Sequence, residues 1–270
     1  MGALGRRGDR EPVTATYFQR VSEPMPRVIA ALTMQDGRLV RTRGFKKPSY
    51  VGDPINAVKI FNDKGTDELV LLEIGDKPFD DARVQYIRKV AGEAFMPISY
   101  GGGVRTIEHV RAVIRSGFEK VVLNTALHRT PALAGEAARE FGAQAVVASI
   151  EVARGFIGGS TVRTECGRRN TGLKPVDWAR KCEEIGCGEI VLTSIDRDGS
   201  MEGYDLDLVR DVSAAVSIPV IALGGAGTVE HLREGIAAGA SAVAAGSMFV
   251  YYGPRRAVLI NYPNISAIHD

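Results

Sequence analysis

The stretch Pro97-Ile98-Ser99-Tyr100-Gly101-Gly102-Gly103 is written twice in this chain. It returns as Pro219-Val220-Ile221-Ala222-Leu223-Gly224-Gly225. The copies stay aligned without a gap through Thr106-Ile107-Glu108-His109 and Thr228-Val229-Glu230-His231, as far as Gly117 and Gly239. A second pair, Pro54 to Ile74 and Pro175 to Ile195, matches with a nearly equal offset. The chain is therefore a duplicated half. Each copy carries an apolar run, a glycine-rich turn and an amphipathic run, the order of a strand, a βα turn and a helix.

Outward from the repeat the alternation continues. Val28 to Leu32, Glu68 to Leu72, Met96 to Ser99, Lys120 to Leu123, Ala145 to Ile150, Glu189 to Thr193, Val220 to Leu223 and Ala242 to Ala245 read as strands. Their continuous apolar character suits strands covered on both faces. Helical spacing runs over Ile55 to Lys64, Thr106 to Ser116, Pro131 to Phe141, Pro175 to Ile185, Leu206 to Val216 and Val229 to Ala238. Gly65, Gly117, Gly142, Gly186 and Gly239 stand where such helices stop. Strands alternating with helices allow an open doubly wound sheet or a closed barrel. Two equal halves of four strands close naturally on each other, so the expectation is an α/β fold, a (β/α)8 TIM barrel built from two half-barrels. Residues 27–263 form that single domain, 1–26 read as a disordered leader, and 264–270 as a tail. Pro254 to Tyr262 offers only a short last helix, limited by Pro263.

Composition excludes little. Hydrophobic residues make up 45% and charged residues 24% of 270, the balance of a soluble globular protein. The net charge of +2 argues neither for nor against an acidic partner, and no nucleic-acid partner is expected. No apolar run is long enough for a membrane span, and Met1 to Pro26 lacks the apolar core of a signal peptide. Three cysteines, Cys166, Cys182 and Cys187, lack zinc spacing and fit reduced thiols of the cytoplasm. Neither a metal nor a cofactor is expected.

In a TIM barrel the chemistry sits at the C-terminal strand ends. Gly102 and Gly103, and in the other half Gly224 and Gly225, follow a strand and lack side chains, so their amides can approach an anion. Each next strand ends in a small polar pair, Asn124-Thr125 or Gly246-Ser247, with the same spacing from the glycines in both halves. Each half thus builds one cradle suited to phosphate, and two cradles suggest a small-molecule ligand phosphorylated at both ends.

These motifs, with Gly52-Asp53-Pro54, Asp67-Glu68-Leu69-Val70, Thr193-Ser194-Ile195-Asp196-Arg197-Asp198-Gly199 and Gly224-Gly225-Ala226-Gly227, resemble the cyclase subunit of imidazole glycerol phosphate synthase over nearly all of residues 27–263. The resemblance implies a glutaminase partner at the N-terminal barrel face, whose ammonia passes through the barrel. It implies a gate of four charges at the barrel base, matched here by Arg27, Glu68, Lys120 and Glu189, and it adds Asp198 and Gly199 to the phosphate-binding set. It also implies two catalytic aspartates, ending the first and fifth strands. Here those positions hold Thr33 and Glu151. Threonine cannot carry a proton near pH 7 as a carboxylate can, and the extra methylene of Glu151 displaces its carboxyl. The family's first-loop lysine is Arg41, and its strand-2 aspartate is Glu73. Loop 1, Arg41 to Tyr50, reads equally as an anion clamp or a solvated loop.

Tyr50 to Asn62, Ala245 to Val250 and Arg255 to Pro263 are similar to HisF-like paralogues found with surface-polysaccharide genes. That likeness implies ammonia delivery to a third, ATP-dependent protein that converts a sugar N-acetyl group to an acetamidino group. The alternatives are a genuine cyclase of histidine biosynthesis, with Glu151 as a catalytic group, and a non-catalytic scaffold that binds a phosphorylated ligand.

Overall fold

The structure, a computed structural model, describes residues 26–75, 77–155 and 159–263. The leader and the tail named above lie outside the described residues, apart from Pro26. Eight parallel strands close into a barrel: β1 Arg27–Gln35, β2 Glu68–Glu73, β3 Ile98–Gly101, β4 Lys120–Leu123, β5 Val146–Arg154, β6 Glu189–Ser194, β7 Val220–Leu223 and β8 Ala242–Ala245. Each pairs with its neighbours in chain order. The β4–β5 pair (Val121 against Val146) and the β8–β1 pair (Arg27 against Ala242) join the halves.

Strand alternation explains the two cores. On β1, Val28, Ala30 and Leu32 point outward and pack under the helices, within one continuous apolar shell. Ile29 and Ala31 point inward and join Val70, Val122, Val147, Val191, Ile221 and Ala244 along the barrel axis. These inner residues are small or β-branched, and together they fill the lumen with little room to spare.

Among the described residues, the helices of eight residues or more that cover the barrel are α1 Pro54–Asp63, α2 Asp81–Ala91, α3 Ile107–Arg115, α4 Ala132–Phe141, α5 Pro175–Glu184, α6 Leu206–Ser213 and α7 Val229–Ala237. The repeated Thr-x-Glu-His segments are helix starts. Thr106 accepts from the His109 amide and Thr228 from the His231 amide, satisfying orphan donors of the first turn. The sequence reading did not name α2, which buries only Ile87, Val90 and Ala91.

Three features depart from the expectation. Pro254 to Tyr262 forms no helix. A short Tyr251–Tyr252/Ala257–Val258 ribbon stands there instead. Beyond it Tyr262 Oη donates to the Val28 carbonyl at 2.8 Å, so the chain end closes the barrel base. Loop 1 is a hairpin of Arg38–Arg43 and Lys46–Gly52 that extends β1. A matching strap, Ser160–Thr164, pairs antiparallel with the end of β5. The duplication therefore extends to the mouth, where each half carries its own strap.

Candidate functional site

The site begins at the base. Arg27, Glu68, Lys120 and Glu189 start β1, β2, β4 and β6, and strand parity turns all four inward. They form a closed ring. Arg27 donates to both glutamates, and Lys120 Nζ donates to Glu68 Oε1 at 3.0 Å and Glu189 Oε2 at 2.8 Å. Glu68 and Glu189 are buried. Such burial is tolerable because each carboxylate faces two cations; removing one partner of a buried pair typically costs ~3–5 kcal/mol. Ser99, inward on β3, adds a 3.4 Å hydrogen bond to Glu68. The motif search did not single it out, although its parity within the repeat could have done so. Phe95, just before β3, is 90% exposed, the most exposed large apolar side chain among the described residues.

Above the ring lies a cavity of about 10 Å³, walled by Ile29, Val70, Val122, Val147, Val191, Ile221 and Ala244 and floored by Glu68, Ser99 and Glu189. That is room for about one water-sized molecule. The axis is thus charged at the base and apolar in the middle.

At the C-terminal end it opens into a cavity of about 390 Å³. Thr33, Glu73, Gly102, Gly103, Asn124, Thr125 and Glu151 all line it, so these candidate residues are brought together. Thr33 pairs with Leu72, and Glu151 with Thr193, in the equivalent place of the other half. The two positions to which the resemblance assigns catalysis are thus related by symmetry, and only one holds a carboxyl.

The carboxyls of Glu151 and Glu73, two of the acidic residues in this mouth, are perturbed. Burial pushes the Glu151 carboxyl up to about 8; the Gly167 N–H, donating to it at 3.1 Å, pulls it down, and Asp198 adds repulsion. Burial likewise pushes Glu73 up to about 7, against the pull of Arg83. Either group can exchange protons near neutral pH.

At the first glycine turn the backbone and polar side chains pack closely. Gly102 (φ +125°) lies against the end of β2; a Cβ there would stand 2.4 Å from the Glu73 carbonyl oxygen. Asn124 Nδ2 donates to the Ser149 carbonyl at 2.9 Å, and Thr125 Oγ1 accepts from the Glu165 amide at 3.1 Å. The second cradle differs. Gly224 packs on Ser194 as Gly102 does on Glu73, but Gly224, Gly225, Gly246 and Ser247 do not line the large cavity. Asp198 and Gly199 hold the hairpin. Asp198 Oδ2 accepts from Thr42 Oγ1 at 2.8 Å and its carbonyl from the Gly44 amide at 3.0 Å, while Gly199 touches the Thr42 carbonyl.

No group of metal-binding side chains occurs among the described residues, and no described helix is long and apolar enough to cross a membrane.

With this geometry in place, comparison with known proteins is informative. A profile of the family described as Histidine biosynthesis protein matches residues 27–254. A protein of Pseudomonas aeruginosa, provisionally named imidazole glycerol phosphate synthase subunit hisF2, is 48% identical over 244 residues, 90% of this chain and 97% of its own length. Imidazole glycerol phosphate synthase subunit HisF of Alkaliphilus metalliredigens is 41% identical over 227 residues, 83% of this chain and 90% of its own. The protein of the same name from Micrococcus luteus is 42% identical over 233 residues, 84% of this chain and 91% of its own. A barrel with a charged base and a glycine-turned mouth, aligned over most of its length with these subunits, belongs to the histidine biosynthesis protein family as a HisF-type chain.

Proposed function

We propose that this chain is the ammonia-receiving barrel of a glutamine-dependent complex, and that its ammonia serves acetamidino-sugar formation in surface polysaccharide rather than imidazole ring closure. A glutaminase docks on the N-terminal face, around Phe95 and the charged ring, and ammonia moves through the ring and the apolar lumen to the mouth. The relatives are each named a subunit, which supports a partner. The closed ring supports passage of a small neutral molecule, because four balanced charges offer no net attraction to an ion. A third, ATP-dependent protein supplies the activated sugar. The work takes place in the cytoplasm.

The observation that carries this reading is Thr33. It stands inward at the end of β1, across from Glu151, where ring closure needs a second proton carrier. The deciding experiment gives the purified protein the doubly phosphorylated ribulosyl imidazole-carboxamide substrate with excess ammonium salt. No imidazole glycerol phosphate is expected at ordinary enzyme rates, and its formation at such rates would overturn the proposal.

One observation favours a second reading, that of a genuine cyclase. Glu73 and Glu151 line the same cavity and both titrate near neutrality. If they share the acid–base work, the same assay yields product, and Glu73→Gln abolishes it.

A further inference from the structure

The two halves treat their polar strand ends differently. In the first half, the Asn124 side chain spans the turn and donates to the Ser149 carbonyl at 2.9 Å. In the second half the equivalent residue is Gly246, with no side chain to do this. Arg41 arrives from the hairpin instead. Its Nη1 donates to the Ala31 carbonyl at 3.1 Å, and its Nη2 approaches Ser247 Oγ at 3.4 Å. Ala31 and Ser149 are equivalent by register, since Ala31 pairs with Val70 and Ser149 with Val191. The guanidinium therefore takes the place that the Asn124 amide holds in the other half.

The fit depends on glycine. A Cβ at Gly246 would lie 2.0 Å from Arg41 Nη2 and 2.3 Å from Cζ and Nη1, so any larger residue there would displace the guanidinium from this position. Arg41 is 6% exposed, and its Nε has no hydrogen-bond partner. Burial lowers its pKa against the pull of Asp198 and Tyr251. Ser247 is 4% exposed. Arg41 forms part of the wall of the large cavity, whereas Gly246 and Ser247 behind it do not reach that cavity.

We propose that Arg41 is the built-in occupant of the second cradle, so that the barrel takes a ligand anchored by one phosphate, at Gly102-Gly103 and Asn124-Thr125, and not by two. This rests on reading the glycine turns as phosphate cradles, and it narrows the substrate class. A singly phosphorylated or singly anionic small molecule fits the mouth, with its other end against the underside of the hairpin.

Calorimetry with a matched pair of probes, ribose 5-phosphate and ribulose 1,5-bisphosphate, tests it. The wild-type protein should bind both with affinities within ~3-fold, because the second phosphate finds no free cradle. Arg41→Ala should open the cradle and favour the bisphosphate by ~10-fold or more. A wild-type preference of that size would overturn the proposal. So would loss of bisphosphate binding in Arg41→Ala, which would make Arg41 a ligand-holding arm. Binding of neither probe by the wild type would remove the cradle reading itself, a result distinct from both. The wild-type ratio decides the matter even if Arg41→Ala does not fold.

Discussion

Among single residues, Glu151 has the sharpest consequence. Its ordinary value is 4.5, and burial lifts it to about 8 in the folded protein. The unfolded chain therefore releases this proton at lower pH than the folded one. Stability from this group is fully present below about 4.5 and is lost as pH rises to about 8. Glu151→Gln keeps an acceptor for the Gly167 amide and removes the titration. Relative to wild type, its urea midpoint should rise more at pH 8 than at pH 5; equal shifts at both would mean the carboxyl is ionised throughout. For the chemistry, Thr33→Asp combined with Glu151→Asp should raise any trace of ring-forming activity. No rise would mean that the mouth has diverged beyond its two strand ends.

Among the elements, the Arg38–Gly52 hairpin sets the shape of the mouth. Asp198 holds it through the Thr42 hydroxyl and, at 3.5 Å, the Phe45 amide, and the Phe45 ring contacts Gly167 of the opposite strap. A hydrogen bond to a charged group contributes ~1.5–3 kcal/mol. Asp198→Ala should speed hydrogen exchange of the Thr42 to Tyr50 amides by one to two orders of magnitude, that is by ~10–100-fold, and leave the barrel strands protected. A uniform change, or none, would deny Asp198 this role. The hairpin also marks how far the sequence could be read. The barrel strands, the glycine turns and the helix caps were legible because each depends on residues within one βα unit, and the duplication showed each unit twice. The run from Arg41 to Tyr50 was not. Its charges read equally as an anion clamp or a solvated loop, and what buries Arg41 is a partner 206 positions away, Ser247. The hydrogen bonds of Asp198 were not legible for the same reason: its partners Thr42 and Phe45 lie across the mouth, on the other half.

At the scale of the whole molecule the axis is graded in polarity, charged at the base and apolar above it. The ring, the small apolar cavity and the mouth follow one another because inward parity holds on every strand from base to top. The four ring charges were named from the family resemblance, with the duplication relating Glu68 to Glu189, and the lumen residues follow from strand parity once the register is known. If the ring admits ammonia from a docked glutaminase, Glu68→Gln should lower glutamine-dependent turnover of the complex several-fold, on the order of one broken charge pair, and spare turnover with added ammonium salt. Equal losses would assign the ring to stability alone. Phe95→Ala should weaken the complex by ~10-fold or more, as truncation of an exposed aromatic anchor does, with unchanged thermal stability of the barrel. An unaltered affinity would place the interface elsewhere.

The base ring also bears on the ancestry of the repeat. Glu68 and Glu189 are equivalent, but both cations come from the first half. Register places buried alanines, Ala145 and Ala242, where the second half would carry counterparts of Arg27 and Lys120. Two second halves joined to each other would enclose a pair of glutamates with no counter-charge. Two first halves would enclose twice as many cations as anions. Electroneutrality therefore exists only in the fused chain. Neither half, joined to a copy of itself, has a self-sufficient centre.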